Sequence, residues 1–265
     1  MANYIFETIT DAQAIGFQNT DTLAFAAGTN ASTITVQYIA AVGAEPERVS
    51  ITANGVTKLF GTGIYGTTHT TTTGGVLYIG SAGNDAPAAG GTGSDAMYGG
   101  AGNDTLDAGQ GANLLQGNAG DDNLTGGSSA DTIYGGAGND TITAGGGSNW
   151  VQGNLGDDNI TGGSASNQSD TLLGGQGNDT VTAGAGADFI NGNLGDDNLA
   201  GGGGNDTLLG EGGNDTIDGG AGNDSIDGGE GNDNLTGGAN NDTIFGGAGA
   251  DTLIGTSGNN FLQGN

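Results

Sequence analysis

Apolar residues follow two different rules along this chain. Over residues 1–79 they gather in short runs, Tyr4–Ile9, Thr22–Ala26, Thr33–Ala40, Arg48–Ala53, Val56–Phe60 and Val76–Ile79, which read as strands. Arg48–Ala53 alternates polar and apolar side chains and meets Val56–Phe60 across Asn54-Gly55. That pair supplies the positive φ angles of a type I′ turn and predicts a hairpin. From Gly90 onward the period is nine. Position eight is apolar in nineteen consecutive units, from Met97, Leu106 and Leu115 through Val151 and Ile190 to Leu262, with one three-residue insertion inside Ser164–Ser169. Such a repeat stacks its inward residues as a ladder, one layer per coil.

The rest of the unit is as regular. Gly99-Gly100-Ala101-Gly102-Asn103-Asp104-Thr105-Leu106-Asp107 is the cleanest copy. GGAGNDTIT from Gly135, GGQGNDTVT from Gly174, GGAGNDSID from Gly219 and GGAGADTLI from Gly246 keep the form G-G-x-G-x-D-x-U-x, with U apolar. In this motif, over about two thirds of its length, the sequence resembles the RTX (repeats-in-toxin) family. The resemblance implies an all-β fold, a right-handed parallel β-roll over residues 80–265 preceded by a small antiparallel β domain over residues 1–79. It implies two nonapeptides per coil, with Ca2+ between same-side loops of successive coils, held by the position-six aspartate and loop carbonyls. Carried over by position, the metal ligands are Asp95, Asp104, Asp122, Asp131, Asp140, Asp158, Asp170, Asp179, Asp188, Asp197, Asp206, Asp215, Asp224, Asp233, Asp242 and Asp251. Roughly 15 ions follow from that set. The resemblance also implies type I secretion and a folded life outside the cell.

The chemistry of the array agrees with that ion. It offers carboxylates and carbonyls and contains neither Cys nor His, a donor set that suits calcium and not zinc. Energetics point the same way. Burying one aliphatic side chain contributes about 1.5–3 kcal/mol, while ordering each residue costs ~1–2 kcal/mol. One inward residue in nine leaves a deficit that bound metal can supply. Charge adds a reason: there are 30 acidic residues against Arg48 and Lys58, for a net charge of −28. About fifteen divalent ions would bring ~+30 and switch a self-repelling coil into a solid. An array this acidic does not take nucleic acid or an anionic membrane by electrostatics. No run is apolar enough to span a bilayer, and the N-terminus shows no Sec-type signal.

Counting units from Gly90, odd and even units differ. Even units carry aspartate at position six without a break. Odd units hold every departure, Asn113, Asn149 and Asn260, and also the insertion; asparagine offers one neutral oxygen, so ions there are expected to be weaker or missing. Asp121, Asp157 and Asp196 fill position five of even loops and are read as facing water. A larger repeat, GGxGNDT followed by QGNxGDDN, recurs from Gly99 and Gly135 and, in similar form, from Gly174. Gly80–Asp85 is a degenerate first repeat, with Pro87 where the inward residue belongs, and reads as an atypical terminal cap.

Positions seven and nine point out of the sheet. In odd units they hold Tyr98, Leu114, Tyr134, Trp150, Leu173, Phe189, Leu209, Phe245 and Phe261, an apolar stripe with coils about 4.8 Å apart. Two readings stand: strand residues packed on one another or beneath the N-terminal domain, or an interface with another copy. The array runs to Asn265 without the non-repeat segment usual in the family, so its open coil edge is expected to support head-to-tail stacking. His69, in a threonine-rich segment read as a polar loop, has no catalytic or zinc partner. Chance GxGxxG strings lack a following Lys, and no Ser/His/Asp set is credible. Ice binding in such rolls uses Thr at the third loop slot, which here is most often Ala, with Thr92 an exception. The expectation is a non-enzymatic extracellular protein that assembles with itself, in a calcium-dependent way, into a surface layer or filament. The alternative is a calcium-folded adhesin, stalk or secretion-associated module of a larger secreted protein or enzyme.

Overall fold

The computed structural model describes residues 3–7, 14, 22–25, 29, 31–39, 48–54, 56–60, 64–70 and 74–264. The nine-residue period builds a parallel β-solenoid with two long faces. Strands that begin at position seven of odd units, from Ala96–Ala101 to Phe261–Gln263, form most of a twelve-stranded sheet. Those of even units, from Thr105–Asp107 to Thr252–Ile254, form a nine-stranded one. Neighbours pair in parallel one coil apart, Leu115 with Ile133 and Leu124 with Ile142. Across the insertion the register still closes, Val151 with Leu172 and Ile160 with Val181. The extra residues are turned out, Gln168 N–H donating to Ala165 O at 3.1 Å.

Position eight behaves as the alternation requires. Met97 through Ile244 are buried in one continuous column. Leu253 is partly buried and Leu262 is 41 % exposed, at the last coils of the column. Between strands the chain must turn within a few residues, and positions two and four do so at positive φ, as in Gly136 (127°) and Gly138 (126°). Asparagine replaces glycine at several of these sites, including Asn118 (79°) and Asn154 (84°), because its short side chain tolerates that region.

The N-terminal segment has its own core, in which Phe6, Phe25, Ile34, Ile51 and Phe60 are buried. Thr35–Ile39, Arg48–Ala53 and Val56–Phe60 form the expected antiparallel sheet. Asn54 has φ 51°, as the turn requires; Gly55 lies outside the described residues. Two expectations need correction. Asn3–Ile5 and Thr22–Ala24 pair in parallel, since the long connection between them permits a crossover that a tight turn would not. Thr67–Thr70 is a strand and not a loop, antiparallel to Val76–Ile79, and its His69 is buried. Val76–Ile79 then pairs in parallel with Ala96–Ala101, so the odd sheet runs on into residues before Gly80.

The same junction decides the fate of the stripe's first residue. Tyr98 is 1 % exposed, lies in the N-terminal core, and its hydroxyl donates to Ile34 O. It is therefore not an outer-surface residue, and Leu114 packs partly against the same core. The N-terminal segment thus occupies the outer face of the first odd coils.

Candidate metal centre

Each position-six side chain follows the tight turn, and in the units that begin with glycine it folds back over that position one. In every successive pair, Oδ1 accepts the backbone N–H of the position-six residue one coil earlier. Asp122 accepts from Asp104 at 2.7 Å, Asp140 from Asp122 at 2.8 Å and Asp215 from Asp197 at 2.8 Å. On the odd side Asn113 accepts from Asp95 at 2.8 Å and Asp206 from Asp188 at 2.8 Å. The result is one unbroken ladder on each edge of the roll.

The second oxygen distinguishes the sites. Among the described residues, Oδ2 is buried with no hydrogen-bond partner in Asp104, Asp122, Asp131, Asp140, Asp158, Asp179, Asp188, Asp197, Asp206, Asp215, Asp224, Asp233, Asp242 and Asp251. A Cβ added to Gly99 would lie 2.2 Å from Asp104 Oδ2 and 2.7 Å from the carbonyl oxygen of Gly117. One added to Gly135 would lie 2.2 Å from Asp140 Oδ2 and 2.8 Å from Gly153 O. A carboxylate oxygen and a carbonyl oxygen therefore converge over a bare glycine, with no donor between them. Two buried acceptors facing each other are unfavourable unless a cation or a proton joins them.

Burial makes that demand visible in the acidities. Loss of solvent pushes Asp104, Asp140, Asp179 and Asp197 up to about 7, and Asp122, Asp131, Asp158, Asp206 and Asp215 up to about 6. Backbone N–H donors oppose the shift and neighbouring carboxylates add to it in most of these sites. Among the described residues no three His, Cys, Asp or Glu side chains converge, so backbone carbonyls must complete any coordination shell. Carboxylate plus carbonyl oxygens in a glycine-rich loop fit calcium. The residues present fit that ion at the fourteen orphaned positions. At the other two predicted ligands the fit differs: both oxygens of Asp95 and of Asp170 accept backbone N–H groups.

A second ladder was not anticipated. Asp121 Oδ1 accepts Asn139 N–H at 2.9 Å, Asp157 accepts Asn178 N–H at 2.7 Å and Asp196 accepts Asn214 N–H at 2.6 Å. The intervening rungs are Asn103, Asn139, Asn178 and Asn214. These exposed side chains bind the next loop instead of simply facing water. Position five being Asn or Asp in every even loop from Asn103 to Asn232 is the signal that could have found them. The degenerate repeat also keeps a function, since Asp85 N–H donates to Asp104 Oδ1 at 2.7 Å and starts the even ladder.

A parallel solenoid whose two edges present stacked, donor-poor oxygen sites is a calcium-binding β-roll. The chain matches the RTX calcium-binding nonapeptide repeat without a gap over residues 88–262. It belongs to that family. No individual curated protein matches the chain.

Proposed function

We propose that this β-roll is an extracellular structural protein that calcium folds and that then assembles with further copies of itself. One observation carries the reading: the outer face of the odd sheet is uncharged over its first six coils, in a chain of net charge −28. From Ala96 to Leu194 its outward positions hold only Ala, Gly, Thr, Asn, Gln, Leu, Tyr, Trp and Phe. Two such anionic molecules approach each other at least cost where carboxylates are missing.

The face is also shaped. Tyr134 and Trp150 pack with ring centroids 5.0 Å apart, and Leu173 and Phe189 continue the row, half-buried. Beside them Leu155 is 47 % and Leu194 is 58 % exposed. They flank a groove of about 410 Å³ floored by Gly175 and edged by Gln152, Asn154, Gln176 and Asn193. The first coils of this face already bind apolar structure, the chain's own N-terminal segment, and we assign the remainder to a second copy. Secretion from the cell fits the family, and among the described residues no helix is long and apolar enough to cross a membrane. We read the protein as having no catalytic activity.

Sedimentation with and without calcium tests this. Assembly should appear only with calcium and should be lost in Trp150→Asp, while circular dichroism of the variant stays that of the folded roll. A calcium-folded protein that remains monomeric at high concentration would instead be a stalk or adhesin module.

A further inference from the structure

The position-six carboxylates fall into two groups, and the backbone of position two sorts them. Wherever position two has positive φ and position six is aspartate, Oδ2 is orphaned, as in the units of Gly100 (107°), Gly136 (127°) and Gly202 (97°). Ser81, Gly91 and Gly163 are the position-two residues without positive φ. In those three units the position-two N–H donates to the carboxylate: Ser81 to Asp85 at 2.6 Å, Gly91 to Asp95 at 3.2 Å, and Gly163 to Asp170 at 2.8 Å. The peptide that elsewhere turns away here supplies the missing positive partner. The insertion after Gly163 gives its loop the length to do so.

Asparagine achieves the same end with its own amide. Asn113 Nδ2 donates to Gly126 O at 3.2 Å, the carbonyl that corresponds to Gly117 O above Asp104. Asn149 Nδ2 donates to Gly147 O at 3.2 Å and to Asp170 Oδ1 at 3.0 Å. An N–H thus stands between two oxygens where an aspartate site would need a cation.

We propose that the odd edge from Gly90 to Asp170 is closed by the protein's own donors at every rung but Asp131, and that Asp95 and Asp170 are not calcium ligands. Position-two handedness is the determinant: left-handed backbone opens a position-six aspartate to the ion, and other backbone closes it. In this stretch Asp131 is the one odd-edge rung with an orphaned oxygen, while all four even-edge rungs, Asp104, Asp122, Asp140 and Asp158, have one. The inference rests on the orphaned oxygens being the calcium sites.

Counting bound calcium per chain, by equilibrium dialysis and elemental analysis, tests it. Asp179→Asn should lower the count by at least one ion. Asp170→Asn and Asp95→Asn should leave it unchanged, and having both guards against one failing to fold. A loss in Asp170→Asn or Asp95→Asn equal to that in Asp179→Asn would overturn the proposal. If Asp179→Asn loses no ion either, the underlying assignment of calcium to orphaned oxygens fails instead.

Discussion

The two edges of the roll are built from one repeat and meet different demands. The even edge carries nine units with aspartate at position six, and a buried, unpartnered oxygen in every one. The odd edge carries asparagine three times, an insertion, and two aspartates that backbone donors already satisfy. Its sheet also bears the apolar outer face. The contrast shows that the parallel register and the position-six ladder are common to both edges, while the position-two backbone and the donors that close the loops are not. On the proposals above, one edge depends on a counter-ion throughout, and the other is partly self-sufficient and leaves its outer surface for packing.

The largest effect should come from removing the ion. Chelation at pH 8 should abolish most of the β signal in circular dichroism, because the even edge has no substitute for the cation. A roll that keeps its full β content in metal-free buffer would sink the account of both edges.

Acid should then partly rescue the stripped protein. An aspartate in an unfolded chain titrates near 3.9, while burial raises Asp104, Asp140, Asp179 and Asp197 to about 7 in the roll. Between those values the folded chain binds more protons than the unfolded one. Metal-free stability therefore grows as pH falls from 8 toward 4 and is lost again as pH rises through about 7. With calcium present the trend reverses, because protons compete for the same oxygens. β signal regained by metal-free protein at pH 4–5 is the expected result.

A single even-edge change should be smaller. Asp140→Asn removes one orphaned carboxylate and one ion, and we expect a loss of about 1–3 kcal/mol, the usual range for a broken buried site. For a domain of this size ~1 kcal/mol moves Tm by roughly 2–4 °C, so calorimetry in calcium should show a drop of several degrees. Smallest of all is Asp157→Ala. It takes away the exposed acceptor of Asn178 N–H, a hydrogen bond worth about 0.5–1.5 kcal/mol at most. Calcium count should not change, and only a slight fall in Tm should be seen.

The buried column and the sixteen aspartates are legible in the sequence because each is forced by a fixed slot. Position eight must be apolar to face inward, and position six must carry an oxygen. The division among those aspartates is not legible, since it depends on whether the preceding glycine turns left-handed, and Gly91 and Gly100 are the same residue type. The ladder of Asp121, Asp157 and Asp196 is hidden for another reason: polar side chains on a surface loop look solvated until the neighbouring coil is in place. At the N-terminal segment the hairpin at Asn54 declares itself through turn chemistry. Thr67–Thr70 does not, because its strand character comes from pairing with Val76–Ile79 and not from an apolar pattern of its own. At Tyr98 the outer row follows the first of its two readings, packing beneath the N-terminal segment; the apolar pattern alone does not say which residues of the row are covered in that way.

The two side-chain ladders run in opposite directions. Position six reaches back to the coil before it, while position five waits for the N–H of the coil after it. The solenoid therefore has a head and a tail at the level of single bonds. Trimming coils from the C-terminal side leaves each surviving position-six carboxylate with the amide it already holds. Trimming from the N-terminal side strips the first survivor on each edge of its donor, so shortening from the front should be the more damaging cut.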